Sequence, residues 1–177
     1  MIDATVFFIF FIVMFGFFGT VRGWAREVIA LFSMMFGLFI YTLPEFNRIL
    51  QPLLEQQDAA TRFVWRILPF AFIAFMGYLG PAILSRSANG DRGGGRFESG
   101  LLAFIVGGFN GYLLLSALAY WALDTGLLAQ NTNLFRPPEG GWEKFFFIQS
   151  ASPVIFSGTT LIIVVVVVFL FVITVLV

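Results

Sequence analysis

Apolar and polar positions fall into long blocks along this chain. Residues 4–21, 28–43, 67–84, 99–123 and 153–177 carry no charge. A hydrocarbon core about 30 Å thick takes roughly 20 apolar residues as helix. The blocks therefore predict five transmembrane helices, over about 4–21, 24–43, 64–84, 99–123 and 153–177. Residues 1–123 would form a four-span core and 124–152 an interfacial connection. The expected fold class is an all-α integral membrane protein of about five spans with one interfacial amphipathic helix.

That amphipathic helix is expected over about 45–56. Phe46, Ile49, Leu50, Leu53 and Leu54 repeat at helical spacing, while Glu45, Asn47, Arg48, Gln51 and Glu55 fall off the stripe. A short helix packed on other loops would give the same pattern, but the apolar face suits the plane of a membrane surface.

The spans differ in character. Ala103, Gly107 and Gly111 recur every four residues, so they share one helix face. In lipid such a stripe lets two backbones approach closely. Gly16 with Thr20, and Ser33 with Gly37, repeat the motif more thinly in spans one and two, so spans one, two and four are the expected bundle. The last run, "LIIVVVVVFLFVITVLV", is β-branched and aromatic. In lipid its backbone must satisfy its own hydrogen bonds, so it is expected as a helix facing lipid at the periphery.

Composition agrees with the blocks. Of 177 residues, 59% are hydrophobic and 11% charged, and mean hydropathy is +0.94. So few charges could not cover a soluble domain, which carries about 25%. Ten basic residues balance ten acidic ones, which gives no reason to expect nucleic acid. The sequence has no Cys and no His. Disulfides, thiolate metal sites, His-ligated haem and His base catalysis are therefore excluded. No catalytic residue, cofactor or metal site is expected, and the chain reads as a non-enzyme. "MIDAT" puts no basic residue ahead of the first run, so that run reads as a retained span and not a cleaved signal.

The connections are plain by comparison. "SRSANGDRGGGRFES" lacks the spacing of a phosphate-binding loop and reads as a flexible linker. Trp142 beside Lys144 has the character of a membrane-interface anchor, as does Trp24. Counting Lys and Arg by side gives five each: Arg22, Arg26, Arg86, Arg92 and Arg96 against Arg48, Arg62, Arg66, Arg136 and Lys144. The first set is packed into two short loops, which points to that side as cytoplasmic, with the N-terminus outside and the C-terminus inside.

The turn "FFGTVRGWAREVIALFS", residues 17–33, gathers Arg22, Arg26 and Glu27 between two apolar runs. Glu27 would meet the positive end of the second helix. Two readings fit. One is an ordinary charged turn. The other is a polar site at the membrane boundary in which Arg26 faces another helix, held by Glu98, Asn110 or span-end carbonyls with Glu27 as a close local partner, while Arg22 reaches water.

Read as Gly-x-x-Arg-Gly-Trp-x-Arg-Glu-x-x-x-Leu from Gly19 through Arg22, Gly23, Arg26, Glu27 and Leu31, this segment resembles the N-terminal signature of the colicin V production protein family. The stretch Gly107-Gly108-Phe109-Asn110-Gly111 is similar to the Gly-rich start of that family's last core span. The resemblance covers residues 1 to about 123. The family usually has a basic residue where this chain has Asn110, and an Asp-Arg pair just before that helix, where this chain has Glu98-Ser99. It implies a small bacterial inner-membrane protein, a polar site at Arg22, Gly23, Arg26 and Glu27, and a role in toxin export or envelope maintenance.

Two partners suit the chain besides the bilayer: another copy, or the subunits of a larger membrane complex. The alternative reading is accordingly an accessory subunit of a respiratory or photosynthetic assembly, its 25 phenylalanines packing on lipids, quinones, carotenoids or other subunits. A transporter ranks behind both, because the spans hold no charge away from their ends.

Overall fold

The computed structural model describes residues 2–84, 96–130, 135–136, 162–163, 165–167, 169–170 and 173. Within them the chain is all-helical apart from a two-residue parallel pairing, Ile2 with Phe135 and Asp3 with Arg136. Between residues 4 and 130 the helices are, in order, α1 (Ala4–Arg22), α2 (Trp24–Ile40), α3 (Pro44–Leu54), α4 (Ala59–Leu84), α5 (Arg96–Asp124) and α6 (Leu127–Gln130). Three of them, α1, α4 and α5, are long and apolar enough to cross a membrane. The bent pair of α2 and α3 makes a fourth candidate.

The 73° bend between α2 and α3 has a local cause. Pro44 has no N–H and disfavours helical backbone in the residue before it. Leu43 is accordingly extended, at φ −79° and ψ 125°. The last turn of α2 tightens to i→i−3 bonds, Thr42 N–H to Phe39 O at 2.9 Å among them. Asn47 then ties α3 back by donating to the Tyr41 carbonyl at 3.1 Å. On α3, Leu50 and Leu54 are buried while Ile49 and Leu53 stay exposed.

α4 begins earlier than the apolar run suggests, at Ala59 and not near residue 64. Asp58 accounts for the start. Hydrogen bonds from the Thr61 hydroxyl and from the first backbone N–H groups hold its carboxyl below the usual range. α4 also runs straight through Pro69 and Pro81. Just before Pro69 the Tyr41 hydroxyl donates to the Arg66 carbonyl and accepts from the Phe70 N–H.

The glycines set the pairing. A Cβ on Gly107 would lie 2.7 Å from the Phe15 carbonyl and 2.9 Å from Gly19 Cα, and one on Gly111 would lie 2.6 Å from Phe15 Cβ. As residue numbers fall along α1 they rise along α5, so the two helices are antiparallel at backbone contact. α2 and α4 pair in the same sense, Gly37 against Phe70 and Gly77 against Ser33. The third span therefore belongs to the bundle beside spans one, two and four. α2 and α5 meet around Met34, Leu38, Leu113, Ala117 and Trp121, with Phe70 of α4 completing the core. The Trp121 ring sits 4.7 Å from Tyr41 and 5.2 Å from Phe70.

These pairings place the α1–α2 turn and the facing ends of α4 and α5 at one end of the bundle. The start of α1, α3 and the start of α4 lie at the other. At that second end Arg66 forms an ion pair with Asp124. The outward faces are apolar: Val6, Phe10, Phe17 and Val21 on α1, and Leu68, Phe72 and Phe75 on α4, are all exposed. Such surface is compatible with lipid contact. Of the expected C-terminal span, the described positions are helical, and Phe169 contacts Phe32 at 5.6 Å between ring centres. The rest of 153–177 lies outside the described residues, as do Trp142 and Lys144.

Candidate functional site

The chain reverses at Gly23. α1 ends at Arg22, Gly23 takes φ 90°, and α2 starts at Trp24. Positive φ is strained for residues with a Cβ, so this turn calls for glycine. Its N–H donates to the Gly19 carbonyl at 2.9 Å, closing α1. Glu27 follows in the first turn of α2, where free N–H groups favour a negative side chain.

Arg22 folds back over this turn. Its Nη1 lies 2.8 Å from Glu27 Oε1, and its Nη2 donates to the Tyr78 carbonyl of α4 at 2.8 Å. Its guanidinium carbon also stands 4.3 Å above the Tyr78 ring, a cation–π distance. The other carboxylate oxygen, Glu27 Oε2, accepts from Asn110 Nδ2 of α5 at 2.8 Å. The same Nδ2 donates to the Glu27 main-chain carbonyl at 2.9 Å. Glu27 is 1% exposed and Asn110 0%, whereas the Arg22 side chain is 25% exposed. Side chains of α1 and α5 thus meet on the carboxylate of α2, and the arginine among them is held in turn by a carbonyl and a ring of α4.

Burial decides what this arrangement does. A charged carboxylate away from water is tolerated only with a counter-charge and filled acceptors. Arg22 supplies the charge and Asn110 the second donor. The Asn110 Oδ1 and Tyr78 hydroxyl are buried without a well-formed bond elsewhere, yet their side chains neighbour each other. Rotation of the hydroxyl toward Oδ1 would extend the chain of polar groups to Arg22, Glu27, Asn110 and Tyr78. A cavity of about 230 Å³ lies beside it, lined by Phe15, Phe18, Arg22, Glu27 and Tyr78.

The sequence had placed Arg26 in this role and Arg22 in water. The structure assigns the counter-charge to Arg22, and the Asn110 amide goes to Glu27 instead of to an arginine. The reason is the Gly23 reversal, which turns the end of α1 back across the start of α2. Arg26 is half-buried, as are Gly23 and Trp24. Glu98 lies in the backbone of α5, with its side chain outside the described set. Ala103 is fully buried, and the stripe it shares with Gly107 and Gly111 lies against α1. Tyr78 went unnoticed in the sequence. Its signal was a hydroxyl aromatic, one residue after Gly77, inside an otherwise apolar run. Arg66 with Asp124 was missed too, because the two lie far apart in the chain. Among the described residues no three acidic side chains gather as they would around a metal.

No family model, no curated protein and no solved structure matches this chain.

Proposed function

We propose that this protein is a non-enzymatic, five-span protein of the bacterial inner membrane, of the colicin V production type, serving envelope maintenance or secretion. The observation that favours the reading is the clasp itself. Arg22, Gly23 and Glu27, three residues of the motif carrying the resemblance, build it, and Asn110 of the second motif completes it. Asn110 donates to the carboxylate where the family usually has a basic residue, so the donor persists without the charge. Arg22, Glu27 and Asn110 are bonded to one another, as suits a device that joins helices more than one that turns over a substrate. α3 lies in the membrane surface in this reading, and residues 153–177 add a fifth span.

Topology provides the first test. With the N-terminus outside, reporter fusions at Arg92 and at Glu139 should label opposite sides of the membrane, Arg92 facing the cytoplasm. Same-side labelling would remove the five-span arrangement. The second test separates this role from an accessory subunit. Purification from native membranes followed by mass spectrometry should yield this chain alone or as a homo-oligomer. Co-purifying respiratory or pigment-bearing subunits in fixed ratio would replace the reading with the accessory one.

A further inference from the structure

The four long helices fall into two halves. α1 packs on α5 at backbone contact, through Gly19, Gly107 and Gly111. α2 packs on α4, Gly37 against Phe70 and Gly77 against Ser33, and α3 lies on α4 as well. Between the halves the packing changes. α2 and α5 run side by side, from Glu27 with Asn110 at one end to Tyr41 with Trp121 toward the other. α1 and α4 barely meet. Cavities of about 230, 390 and 170 Å³ each take walls from both halves: Phe15 and Tyr78 in the first, Phe11 and Phe63 in the second, Trp121 and Leu50 in the third. A void forfeits the dispersion contacts that a filled seam would have, so cohesion is lowest between the halves. An ion pair crosses the seam at each end. Arg22 of the first half meets Glu27 and the Tyr78 carbonyl of the second. At the opposite end Arg66 of the second half meets Asp124 of the first. The chain itself crosses at Gly23, where a φ of 90° and open surroundings leave the backbone room to turn.

We propose that α1 with α5, and α2 with α3 and α4, are two rigid halves that hinge along the α2–α5 contact, each end of the seam held shut by its own ion pair. Motion inside a half is costly. Its helices touch backbone to backbone, and parting them loses van der Waals contact along the stripe. Opening the seam gives up less: an ion pair, and the rims of cavities that are already void. Hinged domains turn on a few residues at element ends, the position Gly23 holds. The two latches differ in kind. Glu27 is almost fully buried, so its pair with Arg22 is sheltered from salt. Arg66 and Asp124 are both part-exposed, so their pair is screened as ionic strength rises. The end held by Arg66 is therefore the one that opens more readily.

The proposal rests on helix packing and not on the envelope or secretion role, which native-membrane purification tests separately. The chain has no cysteine of its own, so spin labels can be set at chosen pairs of introduced cysteines. Val21 with Leu79 reads the end of the seam at Arg22, and Val6 with Val64 reads the end at Arg66; all four positions are exposed. Val13 with Ile105, and Phe36 with Phe72, read distances inside each half. Distances are measured by double electron–electron resonance on the full-length protein in lipid nanodiscs. Arg22→Met with Glu27→Gln removes both charges of one latch. It should widen Val21–Leu79 by several ångströms and leave Val6–Val64 and both inner distances at their wild-type values. Arg66→Met with Asp124→Asn should do the reverse. Raising ionic strength from about 0.1 M to about 1 M, which shortens the screening length from roughly 10 Å to roughly 3 Å, should widen Val6–Val64 with both latches intact and leave Val21–Leu79 unmoved. That arm needs no charge variant, so it decides the matter should either double variant fail to fold. Distances at both ends unchanged by latch removal and by salt would overturn the proposal. So would inner distances that broaden together with those across the seam, since the bundle would then be loosening as a whole.

Discussion

Arg22→Gln is expected to destabilise the bundle by about 3 kcal/mol, the lower part of the range for stranding one member of a buried ion pair. The loss comes from what remains. Glu27 is 1% exposed, and without Arg22 its Oε1 loses the counter-charge that faces it. Glu27→Gln should cost less, because Arg22 is partly exposed, can turn toward the aqueous boundary, and keeps its bond to the Tyr78 carbonyl. The amide oxygen that replaces the carboxylate could still accept from Asn110. The double variant Arg22→Gln with Glu27→Gln should recover most of the stability lost in Arg22→Gln, since both charges leave together and the shape is kept. Reversible unfolding in mixed micelles measures the three differences as a double-mutant cycle. If Arg22→Gln unfolds at the wild-type midpoint, or if the two single effects simply add in the double variant, the pair does not hold α1 to α2.

The order of these effects inverts what the sequence suggests. By number Arg22 lies in the turn, within reach of water, and Arg26 enters the second helix one turn later. A reader of the sequence then assigns the arginine nearer the second span to the interior. The positive φ at Gly23 breaks that logic by reversing the chain between them. Glycine at that position announces a turn but does not give its direction. The partner on α4 was still harder to see. Arg22 meets Tyr78 through a main-chain carbonyl and a ring face, and neither leaves a charge pattern in the sequence.

Other features were legible because they are periodic or compositional. The uncharged runs at 4–21 and 99–123 lie within α1 and α5 almost to their ends. Pro44 and the stripe after it announced the break before α3. The helix of α4 starts ahead of the expected span because Arg62 reads as a loop residue when charge marks the boundary, while Arg66 falls inside that span. Both are helical. Arg66 has Asp124 of α5 as its partner, and long basic side chains near a span end can carry their charge to the interface. The part of α4 in the bundle was also missed, since Gly77 is a single glycine with no repeat to reveal that it faces Ser33.

The repeat that was visible leads to the second large effect. Gly107→Leu should abolish the close packing of α1 on α5, and Gly19→Ala should weaken it severely with a single added methyl. At Gly107 a Cβ would stand 2.7 Å from the Phe15 carbonyl and 2.9 Å from Gly19 Cα. At Gly19 it would collide with the Ala103 carbonyl. These obstacles are backbone atoms, and no rotamer change moves them aside. The helices must separate, and separation removes the van der Waals contact that holds spans together where lipid offers no hydrophobic drive. Overpacking a dense interface costs about 1–3 kcal/mol, and a leucine against backbone belongs at or above the top of that range. Gly108→Ala on the same helix is the control. Its Cβ would meet Ile12 at 3.5 Å, an ordinary contact, so it should be nearly silent. The measurement is thermal midpoint and disulfide trapping between cysteines introduced at Ile12 and Gly108. Trapping should persist in an otherwise unaltered chain and vanish with Gly107→Leu. Undiminished trapping and an unchanged midpoint in Gly107→Leu would mean that α1 and α5 do not meet along this stripe in the membrane.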